Sequence, residues 1–125
     1  MRPPGQPPDV PDVPEREDDP LWKRRVVRTE INRRRVNEAL DRGRSTTAPA
    51  PFMCECGRIG CNETLTLSTA DYEAVRSGFE RFLLIPGHEI SEVDSIVERR
   101  EGYLVVAKQG DGARAAERTD PRTKP

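Results

Sequence analysis

All three cysteines of this chain lie within eight residues, and its single histidine, His88, follows after about one further structural element. The run reads Cys-x-Cys-x4-Cys and consists of Cys54, Cys56 and Cys61. Thiolate sulfur and imidazole nitrogen are the ligands that zinc prefers, and four of them close a tetrahedral structural site. The pattern therefore predicts a zinc centre held by these four residues.

The same pattern leaves alternatives open. Its spacing is not one of the standard zinc-finger spacings, so the cysteines could instead be small buried core residues. An iron–sulfur cluster is a further alternative, although the usual cysteine spacings and a fourth thiolate are missing. If His88 only forms part of a turn, water or a carboxylate such as Glu55 or Glu89 would complete the site. Otherwise we expect both carboxylates to be solvated.

The composition allows only one small core. Of the 125 residues, 34% are apolar and 34% are charged. Residues 1–20 hold seven of the twelve prolines and six acidic against two basic side chains, which predicts a disordered acidic tail. Residues 110–125 lack apolar periodicity and are predicted to form a second disordered tail. In domains with so small a core, a bound structural metal commonly adds the stability that the core does not supply.

A strongly basic segment follows the acidic tail. Residues 21–44 carry nine basic and three acidic side chains and lack glycine and proline until Gly43, which predicts a basic helix. The arginines could contact nucleic-acid phosphates, with Arg33, Arg34 and Arg35 as candidates, or could form the solvated face of an amphipathic helix. Its apolar stripe is predicted to comprise Leu21, Trp22, Val26, Val36, Ala39 and Leu40.

Residues 52–109 are predicted to form the folded domain that surrounds the metal. Short runs in this range alternate apolar and polar side chains, as half-buried strands do. We expect a hairpin whose turn, bracketed by Gly57 and Gly60, wraps around the metal, then a short helix and a second hairpin over 94–108. The predicted fold is α+β: an N-terminal helix plus a small, mostly antiparallel sheet with one short helix, stapled by zinc and flanked by disordered tails.

The absence of a secretory signal pattern and of a bilayer-spanning apolar run predicts a cytoplasmic location without membrane contact. In a reducing compartment, clustered thiols are more typical of a metal site than of disulfide bonds. The odd number of cysteines favours the same interpretation, because any internal bridge would leave one thiol over.

Several short motifs occur in a distinctive order: the cysteine run, a segment from Leu65 to Arg76, the run Pro86-Gly87-His88-Glu89, and a final hairpin with Tyr103-Leu104-Val105-Val106. This order resembles that of a group of small uncharacterised bacterial proteins, mainly actinobacterial, with a CxCx4C…PGHE signature. The resemblance spans roughly residues 29–108. It implies that the three cysteines and His88 belong to one signature, and it implies no activity.

The sequence favours a small zinc-binding interaction or regulatory module, with a structural metal and a protein partner. A nucleic-acid-binding protein that uses the basic helix 21–44 is the alternative. A zinc-dependent hydrolase with Glu55 or Glu89 as base is a weaker interpretation. Thiolate-rich sites are more often structural, and few aromatic residues are present to line a substrate pocket.

Overall fold

The structure is a computed structural model that describes residues 12–13, 21–44 and 46–122. These residues form three helices and five strands, in the order α1 (Trp22–Gly43), β1 (Ala50–Met53), β2 (Thr64–Leu67), α2 (Thr69–Val75), β3 (Arg81–Leu84), β4 (Ser95–Arg100), β5 (Tyr103–Ala107) and α3 (Gly110–Thr119). β1 and β2 form an antiparallel hairpin, and β3, β5 and β4 form an antiparallel sheet with β5 in the centre. The predicted α+β class, with an N-terminal helix and a short second helix, is confirmed.

The prediction of disorder is untested for the N-terminal tail and wrong for much of the C-terminal tail. Residues 1–20 lie outside the described part of the chain, except for Asp12 and Val13, so their predicted disorder stays a prediction. The prediction for 110–125 is wrong over 110–119, which form α3. Ala116 of this helix is fully buried, and small alanine side chains let α3 lie close against α1. The last residues, 123–125, are outside the described range.

The apolar core lies between the two sheets and the helices. Phe52 of β1 stacks on Tyr72 of α2, with ring centroids 4.4 Å apart and planes 12° from parallel. Phe82 of β3 and Val106 of β5 are paired across the sheet, and both are fully buried. The three cysteines belong to the same continuous cluster of buried side chains. The candidate metal ligands therefore extend the core instead of lying apart from it.

The face of α1 that packs on the core coincides with the predicted apolar stripe at Val26, which is fully buried, but differs from it over most of the helix. Leu21, Val36 and Leu40 of the predicted stripe are 47%, 45% and 40% exposed. The buried positions of the helix include only three apolar residues among seven: Val26, Val27, Glu30, Ile31, Arg34, Asn37 and Glu38. The pattern failed because this face is largely polar, and a buried polar group is tolerated only where it is hydrogen-bonded or paired.

Arg34 is fully buried and connects α1 to two other segments. Its guanidinium donates to the carbonyl of Phe79, which precedes β3, at 2.6 Å, and to the carbonyl of Ala116 in α3 at 2.8 Å. The guanidinium carbon lies 4.5 Å from the centre of the Phe82 ring. Because the side chain is fully buried, its guanidinium is not available to bind a phosphate.

Two ion-pair clusters hold two further polar positions of α1, Glu30 and Glu38. The ammonium of Lys108 lies 2.6 Å from the carboxylate of Glu30 and also pairs with Asp94, and all three side chains are fully buried. At the other end, Glu38 accepts from Arg76 at 2.6 Å and from Arg122 at 2.7 Å. Such pairs fix one relative placement of the elements, because removal of either partner leaves an uncompensated buried charge.

None of the helices in the described ranges is long and apolar enough to cross a membrane.

We expect Arg34→Ala to destabilise the protein by about 3 kcal/mol or more, because it strands two buried carbonyls and removes the contact with Phe82. The neighbouring Arg35→Ala is the matched control, since Arg35 is exposed, and it should change stability by no more than about 0.5 kcal/mol. Thermal unfolding followed by circular dichroism measures both. Equal melting temperatures for the two variants would contradict this account of the α1 face.

Candidate metal centre

The structure brings Cys54, Cys56, Cys61 and His88 together. Their potential ligand atoms all lie within 4.8 Å of one another, and all four residues are buried. Nδ1 of His88 lies 3.7 Å from Sγ of Cys54, 3.7 Å from Sγ of Cys56 and 3.6 Å from Sγ of Cys61. The four residues predicted as ligands are therefore clustered, and they could hold a metal ion.

The nitrogen–sulfur distances match those of a tetrahedral zinc site. With Zn–S bonds of about 2.3 Å and a Zn–N bond of about 2.0–2.1 Å, a tetrahedral angle at the metal separates sulfur from nitrogen by about 3.6 Å. The three distances from Nδ1 lie at that value within 0.1 Å. Buried cysteines packed only as small apolar side chains have no reason to place one ring nitrogen equally far from three sulfurs.

The connection between β1 and β2 supplies all three sulfurs. The amide of Cys54 donates to the carbonyl of Glu63 at 3.0 Å, which continues the β1–β2 pairing beyond the last residue of β1. Gly57 begins the turn and lies against α1, where a Cβ would be 2.4 Å from Cγ1 of Val26. Gly60 has a φ of +73°, as predicted for a tight turn at this position. Cys61 then leads into β2.

The fourth residue comes from the loop after β3. Pro86 and Gly87 occupy the centre of a turn closed by a 3.0 Å hydrogen bond from the amide of His88 to the carbonyl of Ile85. Arg58, from the cysteine turn, reaches across to this loop and donates to the carbonyls of His88 and Glu89, both at 3.0 Å. Arg58 therefore positions the histidine loop against the cysteine turn, a role that the sequence analysis missed.

Each sulfur also accepts a hydrogen bond from an N–H group. The amide of Ile85 lies 3.3 Å from Sγ of Cys54, and the guanidinium of Arg33 lies 3.4 Å from Sγ of Cys56. The backbone amides of Arg58 and Glu63 donate to Cys56 and Cys61, respectively. Donors of this kind stabilise thiolates, which are the form that binds a metal.

Hydrogen bonds within the cluster distribute the protons unevenly. Those with Cys56 and Cys61 raise the pKa of Cys54 far above the usual thiol range. The hydrogen bond from Cys54 lowers the pKa of Cys61 to about 4 and that of Cys56 to about 7, against the opposing effect of burial. Cys61 is therefore the sulfur that loses its proton most readily, and a metal would displace the proton held by Cys54.

Glu63 orients the imidazole. Its carboxylate Oε2 lies 3.3 Å from Nε2 of His88, on the opposite side of the ring from the three sulfurs. A proton on Nε2 leaves the lone pair of Nδ1 free to face the sulfurs, and a carboxylate on the outer nitrogen is the usual companion of a metal-binding histidine. The sequence signal that could have predicted this role is an acidic residue two positions after the last cysteine.

Neither alternative carboxylate lies in the cluster. Glu55 is fully buried, which corrects the expectation that it is solvated, and its oxygens accept from the amide of Leu83, the hydroxyl of Tyr72 and the side chain of Asn37, all at 2.8 Å. Burial raises the pKa of this carboxyl, whereas the three hydrogen bonds lower it. Glu89 accepts from the amide of Gly87 in its own turn.

The three arginines considered as phosphate contacts lie in different environments. Arg33 is half-buried and donates to the carbonyl and sulfur of Cys56. Arg34 is buried between α1 and α3, and only Arg35 is exposed. They do not form one surface, so this geometry does not favour a phosphate site built from the three together.

Comparison with models of known protein families, with curated proteins and with solved structures finds no match to this chain.

We expect Glu63→Gln to weaken zinc binding by about tenfold or more, because it removes the negative charge that orients and polarises His88. Glu101→Gln is the matched control, since Glu101 lies in an exposed turn between β4 and β5, and it should bind zinc like the parent. Competition with a chromogenic chelator gives both affinities. If the two variants match the parent, Glu63 has no part in the site.

Proposed function

We propose that this chain is a small zinc-binding interaction module in which the metal is structural. Cys54, Cys56, Cys61 and His88 are its four ligands. The observation that carries the proposal is the placement of one imidazole nitrogen 3.6–3.7 Å from three buried sulfurs. A Cys3His donor set is one of the common structural zinc sets, which favours zinc over harder cations that prefer oxygen.

Burial and ligand number support a structural role over a catalytic one. The four residues are at most 4% exposed, and four protein ligands leave a tetrahedral metal without an open position for water or substrate. Both carboxylates considered as catalytic bases are engaged elsewhere, Glu55 with three donors and Glu89 with Gly87. The metal would therefore contribute its binding energy to folding.

The site would join segments that already pack in one core, where the amide of Glu55 donates to the carbonyl of Leu83. Its ligands come from the β1–β2 hairpin and from the loop after β3, which belong to different sheets. Arg33 links the same cluster to α1 through Cys56, and Gly57 packs on Val26. Three thiolates and one Zn²⁺ leave a net charge of −1, which the Arg33 guanidinium would offset. The metal would thus hold both sheets and α1 in one arrangement.

We expect purified protein to contain one zinc per chain and Cys56→Ser to contain little or none, as measured by elemental mass spectrometry. Because binding energy at such a site is folding energy, on the order of 10 kcal/mol for structural zinc, the variant and the chelator-treated parent should both melt far below the parent. The proposal would be contradicted if the purified parent protein contained no metal and its melting temperature did not change when zinc was added.

Variants of two adjacent residues test whether the imidazole of His88 or the carboxylate of Glu89 is the fourth ligand. His88→Ala should lose about as much zinc affinity as a cysteine variant, whereas Glu89→Gln should retain the metal because its side chain bonds only within its own turn. The zinc content and melting temperature of both variants, purified in parallel, measure this. The opposite pattern would assign the fourth position to the carboxylate.

A further inference from the structure

A groove lies between α1, α3 and residues 91–95 around the start of β4, and no residue of the cysteine cluster lines it. It encloses about 990 Å³. Five of the side chains that line it are basic, and two are acidic, Glu92 and Asp111. The basic ones are Lys23, Arg24, Arg28, Arg35 and Arg118. The groove is therefore cationic, although the whole chain has a formal net charge of −1.

Most of this positive charge follows one edge of α1. Arg24, Arg28 and Arg35 are four and seven residues apart, a spacing that places them on the same side of a helix over about 16 Å. All five basic side chains are exposed, and none of them forms an ion pair with another described residue. This contrasts with Arg76, which pairs with Glu38, and with Arg34, whose guanidinium is buried and donates to backbone carbonyls.

The floor of the groove is aliphatic. Val27 and Ile31, one helical turn apart on α1, form one side, and Val93 and Ala115 form the other. Phosphate groups gain nothing from such a floor, and no residue lining the groove in the described part of the chain is aromatic, so it offers no platform for stacking bases. An aliphatic floor beside a basic edge instead matches an amphipathic peptide segment.

We propose that this groove binds an acidic amphipathic segment of a partner protein, with its aliphatic side chains on the floor and its carboxylates against Arg24, Arg28 and Arg35. The inference rests on the proposed function, because it identifies the surface and the partner chemistry of that interaction module. Recognition follows the helix-in-groove mode, in which anchors repeat every three or four residues along one face.

The test uses the full zinc-loaded chain and a labelled peptide of about fourteen residues, long enough to span the basic edge as a helix. The peptide carries leucine at every third or fourth position and glutamate at the positions between. Fluorescence anisotropy in about 0.15 M salt, where weak surface electrostatics are screened, should show saturable binding. A scrambled peptide of identical composition, without the leucine stripe, should bind at least about tenfold more weakly.

Matched charge variants locate the site. Arg28→Gln combined with Arg35→Gln removes two positive charges from the groove, and Arg42→Gln combined with Arg99→Gln removes two from exposed positions outside it. The first variant should weaken binding about tenfold or more, and the second should leave it within about twofold of the parent. Equal losses in both variants would overturn the proposal, because binding would then report net charge alone.

A labelled oligothymidine of similar length, tested in the same way, addresses the other class of ligand. Tighter binding of the oligonucleotide than of the peptide, lost in the groove variant, would overturn the proposal and assign the groove to nucleic acid. No peptide binding up to about 1 mM, or equal binding of the scrambled peptide, would also overturn it. Because the groove variants leave the cysteine cluster untouched, their zinc content and melting temperatures separate these outcomes from a failure of the proposed zinc site.

Discussion

Polar side chains on the inner face of α1 bond to five other parts of the fold, and the arrangement of those parts depends on them. Arg34 bonds to the carbonyls before β3 and within α3, and Asn37 bonds to both backbone groups of Met53 at the end of β1. Glu30 and Glu38 hold Lys108 and Arg76. A hydrophobic stripe would tolerate a helix that slides or rotates, whereas these directional contacts are satisfied in only one register.

The polar inner face of α1 and the cysteine cluster meet at the first residues after β1. Asn37 donates to the carboxylate of Glu55, and Arg33, one turn earlier on the helix, donates to Cys56. Successive residues of this extended segment therefore face α1 and the sulfur cluster alternately, as the two-residue period of an extended chain requires. The helix and the candidate metal centre consequently support each other through a segment of three residues.

The sequence predicted most accurately what depends on short spacings. The cysteine turn, the second hairpin and the strand–turn position of His88 follow from local patterns, and the structure places them as expected. The buried face of α1 and the burial of Glu55 could not be predicted, because their partners lie 16–82 residues away in the chain. Helix α3 was missed because glycines occupy two of its first three positions and its one fully buried residue is an alanine.

The spacing of the four candidate ligands has a consequence for the order of folding. Three thiols lie within eight residues, and loops this short cost little entropy to close, so even an unfolded chain can gather them around one ion. His88 lies 27 residues beyond Cys61, so a longer loop must close before its ring reaches the sulfurs. Any affinity of the unfolded chain for the ion is subtracted from the stability that the ion confers. The contribution of a metal to folding would therefore depend mainly on the late arrival of His88, and the cysteines would serve as the site of first capture.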